Sequence, residues 1–434
     1  MDKMADVLGR AGAWCGQNKY LSAIKNAFQN FMPLTIAGAI GVLWCNVLVN
    51  DQTGLGLFFK PIMALDFLNP AFQAVNFCTI SCITVGITLG IAQEIGVWNM
   101  GAEKAGYIPG LVGLAAWLSV TNTSHMVEGA KDAFTGIAGN ELGATGLFTG
   151  MIIGVLSVEL FCFFEKQDAL KIKMPEQVPP GVARAFEVLV PATITLIITA
   201  CIGSACYNLT GLYLNDVIKN GIQGPLGAVG ATIPGVMIIY LVIMLFWLVG
   251  IHGNNMLSAV KEALFTPLAL ENVEKFNKGE KPTNIINMYF LQMCGEFGGS
   301  GVTIGLVIAI MIFGKREDNK AIATLSLVPG LFNINETVTF GIPMVLNPIL
   351  GIPFVFACLV TILVGYVLTV IGFCPVACLT VPWTTPPIVF GFLACGANVM
   401  GAVTQAILIV VSTVIYVPFL ISYEKYQNKQ AAEA

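Results

Sequence analysis

Apolar residues fall in long unbroken runs near 28–49, 73–95, 143–164, 187–208, 226–250, 353–374 and 402–422, with a shorter, glycine-interrupted run at 107–121. A bilayer-crossing helix needs about 20 mostly apolar residues, which each long run approaches or exceeds. A spanning barrel would show alternation in segments of roughly ten residues. These runs are continuous and rich in Leu, Ile, Val, Gly and Ala, so the pattern predicts an all-α polytopic membrane protein. Composition agrees: 56% of the 434 residues are hydrophobic and 11% charged, against roughly a quarter charged in a soluble chain. The first 26 residues carry Asp2, Lys3, Asp6, Arg10, Lys19 and Lys25 without a small-residue cleavage site, so no removable signal peptide is expected.

Basic residues cluster at 3–25; at Lys166, Lys171, Lys173 and Arg184; at Lys261, Lys275, Lys278 and Lys281; at Lys315, Arg316 and Lys320; and at Lys425 and Lys429. The positive-inside rule puts all five clusters in the cytoplasm, with 261–281 as a solvated loop. Four crossings return the chain inside at 165–186, and two more reach 261–281. A single crossing at 284–313 would then leave Lys315, Arg316 and Lys320 outside. A re-entrant hairpin turning at Gly295-Glu296-Phe297-Gly298-Gly299-Ser300-Gly301 resolves the conflict. Pro329, Gly330, Pro343, Pro348 and the run Asn333-Ile334-Asn335-Glu336 break 321–350 in the same way. Irregular backbone at membrane depth is tolerated where it lines a cavity or is buried in protein, and transporters build sites from broken helices. The chain thus reads as eight crossings and two hairpins, divided at the proline-rich stretch 165–186 into a scaffold, 1–186, and a transport domain, 187–434.

Between Lys320 and Glu424 the only ionisable side chain, Cys and Tyr apart, is Glu336. An intramembrane carboxylate marks a functional site by default, the alternative being a Glu in a short cytoplasmic loop. Asn333, Asn335, Thr337 and Thr339 around it can hydrogen-bond a hydroxylated ligand, or merely suit a turn. Glu296 is a second isolated carboxylate, in a glycine turn that matches neither a Walker loop nor a dinucleotide fingerprint. His252 lies among glycines beside Asn254 and Asn255, an open polar setting in which an imidazole can exchange a proton near neutral pH. Trp383, between Pro382 and Thr384, offers a ring for the C–H face of a sugar or an interfacial anchor. His125 belongs to a polar outer loop. The twelve cysteines lie mostly inside apolar runs, including Cys78 and Cys82, Cys201 and Cys206, and Cys374 and Cys378. With two histidines in the chain, these cysteines read as packing residues rather than metal ligands or disulfides.

Gly250-Ile251-His252-Gly253-Asn254-Asn255, the run at 298–306, Asn333-Ile334-Asn335-Glu336, Phe340-Gly341-Ile342-Pro343 with Asn347-Pro348, and Pro382-Trp383-Thr384 resemble the membrane enzyme IIC of the bacterial phosphoenolpyruvate-dependent sugar phosphotransferase system. The likeness is to its lactose/cellobiose/diacetylchitobiose branch and runs essentially end to end. The resemblance implies a homodimer in the bacterial inner membrane, dimerising through the N-terminal region, with about ten transmembrane helices and two re-entrant hairpins in the C-terminal half. It implies a β-linked disaccharide held with its 6-hydroxyl near His252 and Glu336, as the catalytic pair, and phosphorylated by the phosphocysteine of a separate IIB protein, itself charged through IIA. Asn254, Asn255, Glu296, Asn333, Asn335 and Trp383 are the expected sugar-binding residues. No cofactor, metal or nucleic acid is expected. A proton-coupled secondary transporter would also want a buried Glu, a His and broken helices, whereas a channel would want a ring-forming filter that is not seen.

Overall fold

Inside a bilayer every backbone N–H and C=O must find its partner within the protein, which favours helix wherever the sequence allows it. The computed structural model describes residues 10, 13–14, 17–51, 54–125, 134–175, 177–225, 230–342 and 344–433. Asp2, Lys3, Asp6, the start of the 226–250 run and Pro343 lie outside the described residues. Among the described residues six helices are long and apolar enough to cross a membrane, or seven if Met288–Val302 and Ile304–Phe313, bent by 59°, count as one broken span. The chain forms two compact units: Gln17–Thr35 with Phe77–Gly227, and Ile36–Asn76 with Ala228–Ala434.

In the first unit, the early part of α1 (Lys19–Leu43) is followed, beyond α2 (Asn69–Cys78), by α3 (Ile83–Met100), α4 (Ile108–Val120), α5 (Ala144–Glu165) and α6 (Pro180–Thr210). Trp117, Val120 and Ile153 are buried between α4 and α5. The proline-rich stretch before α6 is a connection within this unit, because Arg184 in the first turns of α6 reaches back to Glu165 at 3.0 Å. By compactness the described chain from Gln17 onward changes unit at 35/36, 76/77 and 227/228. Pro180 opens α6 as its first residue, where its fixed φ suits the helix and its missing N–H costs nothing. Ser124–His125 pairs with Phe134–Thr135 in a short antiparallel ribbon.

The second unit contains α7 (Ile233–Leu248), α8 (Ser258–Asn277), α9 (Met288–Gly295), α10 (Ile304–Phe313), α11 (Glu317–Leu331), α12 (Glu336–Gly341), α13 (Gly351–Val370), α14 (Val389–Ala394) and α15 (Val399–Glu433). Tyr240, Phe290, Phe297, Phe354 and Tyr416 are fully buried in its core. Within the described part of the 226–250 run, the helix Ile233–Leu248 follows a turn at Ala231 and Thr232, and the Thr232 hydroxyl accepts the Gly235 N–H at 3.2 Å. One expectation is corrected here. The 261–281 segment is mostly helix rather than solvated loop: Lys261, Phe265, Ala269 and Val273 form a buried stripe, the i, i+4 spacing that turns one face inward. Pro329 falls in the last turn of α11, so the helix runs to Leu331 before the chain breaks.

Glu165 is 1% exposed and pairs with both Arg184 and Lys104. Removing a buried acceptor strands its donors at about 1–3 kcal/mol. Glu165→Ala should lower the unfolding free energy in detergent by that amount, whereas truncation of the exposed Lys166 should stay within ~0.5 kcal/mol. Equal thermal shifts for the two variants would contradict the assignment of Glu165 as the anchor of the α5–α6 connection.

Candidate functional site

Four irregular segments of the second unit meet where helices are interrupted. The first follows α7, where Gly250 turns at φ +80° and His252 caps the short helical turn Gly253–Met256. The His252 Nδ1 atom accepts the Asn255 N–H at 3.2 Å, so in the neutral ring the proton sits on Nε2. That Nε2 faces Glu336 Oε1 at 3.8 Å, with the two side chains 39% and 47% exposed. This distance is beyond hydrogen-bond reach and lets a third oxygen bridge the two atoms from the side. The ring of Trp247 lies 4.4 Å from the imidazole, centroid to centroid.

The second segment is the glycine turn after α9. Glu296 ends that helix, and one of its oxygens, Oε1, accepts from Tyr240 Oη at 2.7 Å and Asn254 Nδ2 at 3.3 Å and pairs with Lys261 Nζ. Lys261 and Glu296 are 8% and 17% exposed, a buried pair in which each charge offsets the desolvation of the other. Gly299 holds φ +88°, and a Cβ on it would stand 2.6 Å from the Asn335 side chain; only glycine fits.

Asn333 and Asn335 tie this turn to the others. Asn333, itself at φ +63°, accepts the Gly298 N–H at 2.6 Å and donates to the carbonyls of Trp383 at 2.5 Å and Thr385 at 3.1 Å. Asn335 donates to the Ser300 carbonyl at 2.8 Å. The Asn333 amide is thus occupied by backbone at both ends and the Asn335 amide through its NH2 group, whereas Trp383 presents a side chain in a residue 43% exposed and Asn255 is exposed beyond its backbone contact. Several buried polar atoms have no protein partner: Asn254 Oδ1, Trp247 Nε1, Gln292 Oε1 one turn before Glu296, and Thr339 Oγ1 one turn after Glu336. Buried polar groups are normally satisfied, so this collection asks for hydroxyls or water.

Sequence reasoning missed Lys261 and Tyr240. Lys261 was hidden in a loop reading, yet it shares the apolar spacing of Phe265 and Ala269. Tyr240 supplies the hydroxyl within the otherwise apolar Ile233–Leu248. His125 belongs to the other unit and takes no part in this cluster.

A multi-pass helical membrane protein with a polar, incompletely satisfied site built on broken helices is of the solute-transporter class. Residues 25–358 match the family model "Phosphotransferase system, EIIC". An oligo-beta-mannoside-specific EIIC component of Bacillus subtilis is 33% identical over 98% of this chain and 94% of its own length. A lactose-specific EIICB component of Staphylococcus aureus is 32% identical over 94% of this chain and 69% of its own. The crystal structure of ChbC, the IIC component of an N,N'-diacetylchitobiose-specific phosphotransferase system, superposes with a TM-score of 0.88 over 97% of both chains at 29% identity. The chain belongs to the phosphotransferase-system EIIC family, the integral membrane components that carry sugar in that system.

Breaking a buried ion pair from one side costs about 3–5 kcal/mol, so Lys261→Met should destabilise the protein by that order in thermal or denaturant unfolding. Adding Glu296→Gln to it should recover at least half. A double variant no more stable than the single one would show that Lys261 does not compensate Glu296.

Proposed function

We propose that this chain is the sugar-translocating IIC subunit for a β-linked disaccharide of the cellobiose, lactose or diacetylchitobiose class. It presents the sugar 6-hydroxyl to a phosphorylated IIB partner, which is itself charged through IIA. The observation that carries the reading is the 3.8 Å gap between His252 Nε2 and Glu336 Oε1. A hydroxyl oxygen ~2.8 Å from both atoms would accept from the imidazole N–H and donate to the carboxylate. Glu336 then takes the proton as the hydroxyl attacks phosphorus; the P–O bond forms, the P–S bond to the phosphocysteine breaks, and the thiolate leaves. His252 orients the nucleophile and cannot take its proton through Nδ1 while that atom accepts from Asn255. There is little covalent chemistry for the subunit beyond this, and alignment supplies most of the rate.

Around the reacting hydroxyl, Asn254, Asn255, the free oxygen of Glu296 and Trp383 contact the sugar, while Asn333 and Asn335 shape the pocket through the backbone they hold. The fusion of IIC and IIB in the lactose-specific relative's name supports a IIB partner, and the relatives' printed substrates, a mannoside oligomer, lactose and diacetylchitobiose, support a β-linked glycoside. About ten spans, two re-entrant hairpins around the breaks at 296–301 and 333–350, an N-terminal scaffold through which two copies associate and a C-terminal transport domain complete the proposal.

The test is uptake of labelled cellobiose, lactose and diacetylchitobiose into vesicles with and without the phosphorylated soluble partners. The 6-phosphosugar should appear only with the partners. Glu336→Gln should slow its formation by about 10²–10⁴-fold, the range of general-base catalysis, while sugar still binds. Accumulation of free sugar without partners, driven by a proton gradient, would instead establish a secondary transporter.

A further inference from the structure

Gln405 lies in an apolar stretch of α15 and is 1% exposed. Its Nε2 donates to the Met293 carbonyl at 3.1 Å, and its Oε1 accepts from Ile388 N–H at 2.7 Å and Gly391 N–H at 2.8 Å. Met293 is in the last turn of α9, where carbonyls lack an amide four residues on, and Ile388 and Gly391 stand at the start of α14, where N–H groups lack a carbonyl four residues back. One carboxamide therefore satisfies the ends of two interrupted helices. Its position is fixed by close backbone packing: a Cβ at Gly391 would stand 2.5 Å from the Gly401 carbonyl oxygen, and one at Gly401 would stand 2.2 Å from the Gly391 oxygen. Ile388 is held at φ +76°, a conformation a β-branched residue does not adopt unaided.

Asn333 repeats the arrangement on the other side of the same two segments. Gln405 grips α9 three residues before Glu296, and Asn333 grips the glycine turn two residues after it. Asn333 also holds the carbonyls of Trp383 and Thr385, and Gln405 holds the chain where that loop re-enters helix at Ile388. Each of the two segments is thus pinned on both sides of, or at and just beyond, the residue expected to touch sugar.

We infer that Gln405 and Asn333 form a two-point clasp that fixes Glu296 against Trp383, which makes Gln405 a positioning residue for sugar recognition although it touches no ligand; the inference rests on the sugar-site reading above. A displacement of about 1 Å in such a site costs up to ~10²-fold. Gln405→Leu removes all three hydrogen bonds. Asn333→Asp keeps the acceptor for Gly298 but loses both donors. Gln405→Glu, neutral when protonated, keeps one donor and one acceptor.

The experiment measures equilibrium binding of the three disaccharides to purified protein without IIB, the unfolding midpoint, and amide hydrogen exchange over 386–392. Wild type should protect the Ile388 and Gly391 amides even without sugar; fast exchange there overturns the clasp. Gln405→Leu and Asn333→Asp should weaken binding by about tenfold or more at a retained midpoint, with KM raised more than kcat is lowered once IIB is added. Gln405→Glu at acid pH should recover most of the affinity. Folded Gln405→Leu with wild-type affinity overturns the proposal. If Gln405→Leu does not fold, Asn333→Asp, Gln405→Glu and the wild-type exchange decide it. Wild type that shows the protected amides but binds none of the three sugars overturns the disaccharide reading itself, independently of the clasp.

Discussion

A helix interrupted within a membrane exposes backbone groups that have no water to turn to, and the second unit is organised around meeting that demand with side-chain amides. Asn287 caps the Tyr289 and Phe290 N–H groups and donates to the Ala377 carbonyl. Asn272 accepts from Thr283 and Asn284 while donating to the carbonyls of Asn284 and Ala377. Asn347 caps Ile349 and Leu350. A carboxamide suits this work because it carries donors and an acceptor without charge; a carboxylate in its place would add a desolvation cost.

Once the breaks are satisfied, their unpaired polarity can be aimed. Tyr240, Asn254 and Lys261 converge on one oxygen of Glu296, which orients the carboxylate and leaves its other oxygen uncommitted to these donors. His252 is treated similarly: Asn255 N–H occupies Nδ1, and the remaining nitrogen looks at Glu336. In both cases a backbone or buried donor fixes one side of a functional group so that the opposite side is presented. Low exposure of Lys261 and Glu296 strengthens the contacts to that carboxylate relative to water.

Much of this was legible in the residue order, and the exceptions have physical causes. Continuous apolar runs gave away the long helices, and isolation in an uncharged stretch drew attention to Glu336, which the fold places 3.8 Å from His252. Two kinds of information were hidden. Lys261 was read as part of a solvated loop because a positional rule for basic residues does not know that a carboxylate thirty-five residues away will accept the cation; its helix spacing with Phe265 and Ala269 was the available signal. The backbone contacts of Asn333 and Asn335 were hidden because an amide offered to backbone and an amide offered to a hydroxyl are the same residue in a sequence. Gln405, set in an apolar helix with no break of its own, gave no sign that it serves breaks in two other segments.

Charge balance at the site also bears on the direction of transport under the proposed reaction. Lys261 pairs with Glu296, whereas among the described residues no Lys or Arg pairs with Glu336, which under the proposed reaction faces the atom that becomes the phosphoester oxygen. A disaccharide is neutral and meets no repulsion there. Its 6-phosphate carries close to two negative charges, and a unit pair at about 4 Å in an environment of effective dielectric 20–80 repels by roughly 1–4 kcal/mol per charge. Even the lower end, about 2 kcal/mol for the two charges, lowers product affinity roughly thirtyfold, before any change in shape. Protonation of Glu336 during transfer defers this repulsion until the proton departs, so the same carboxylate that activates the hydroxyl also expels the ester, and release follows chemistry rather than preceding it.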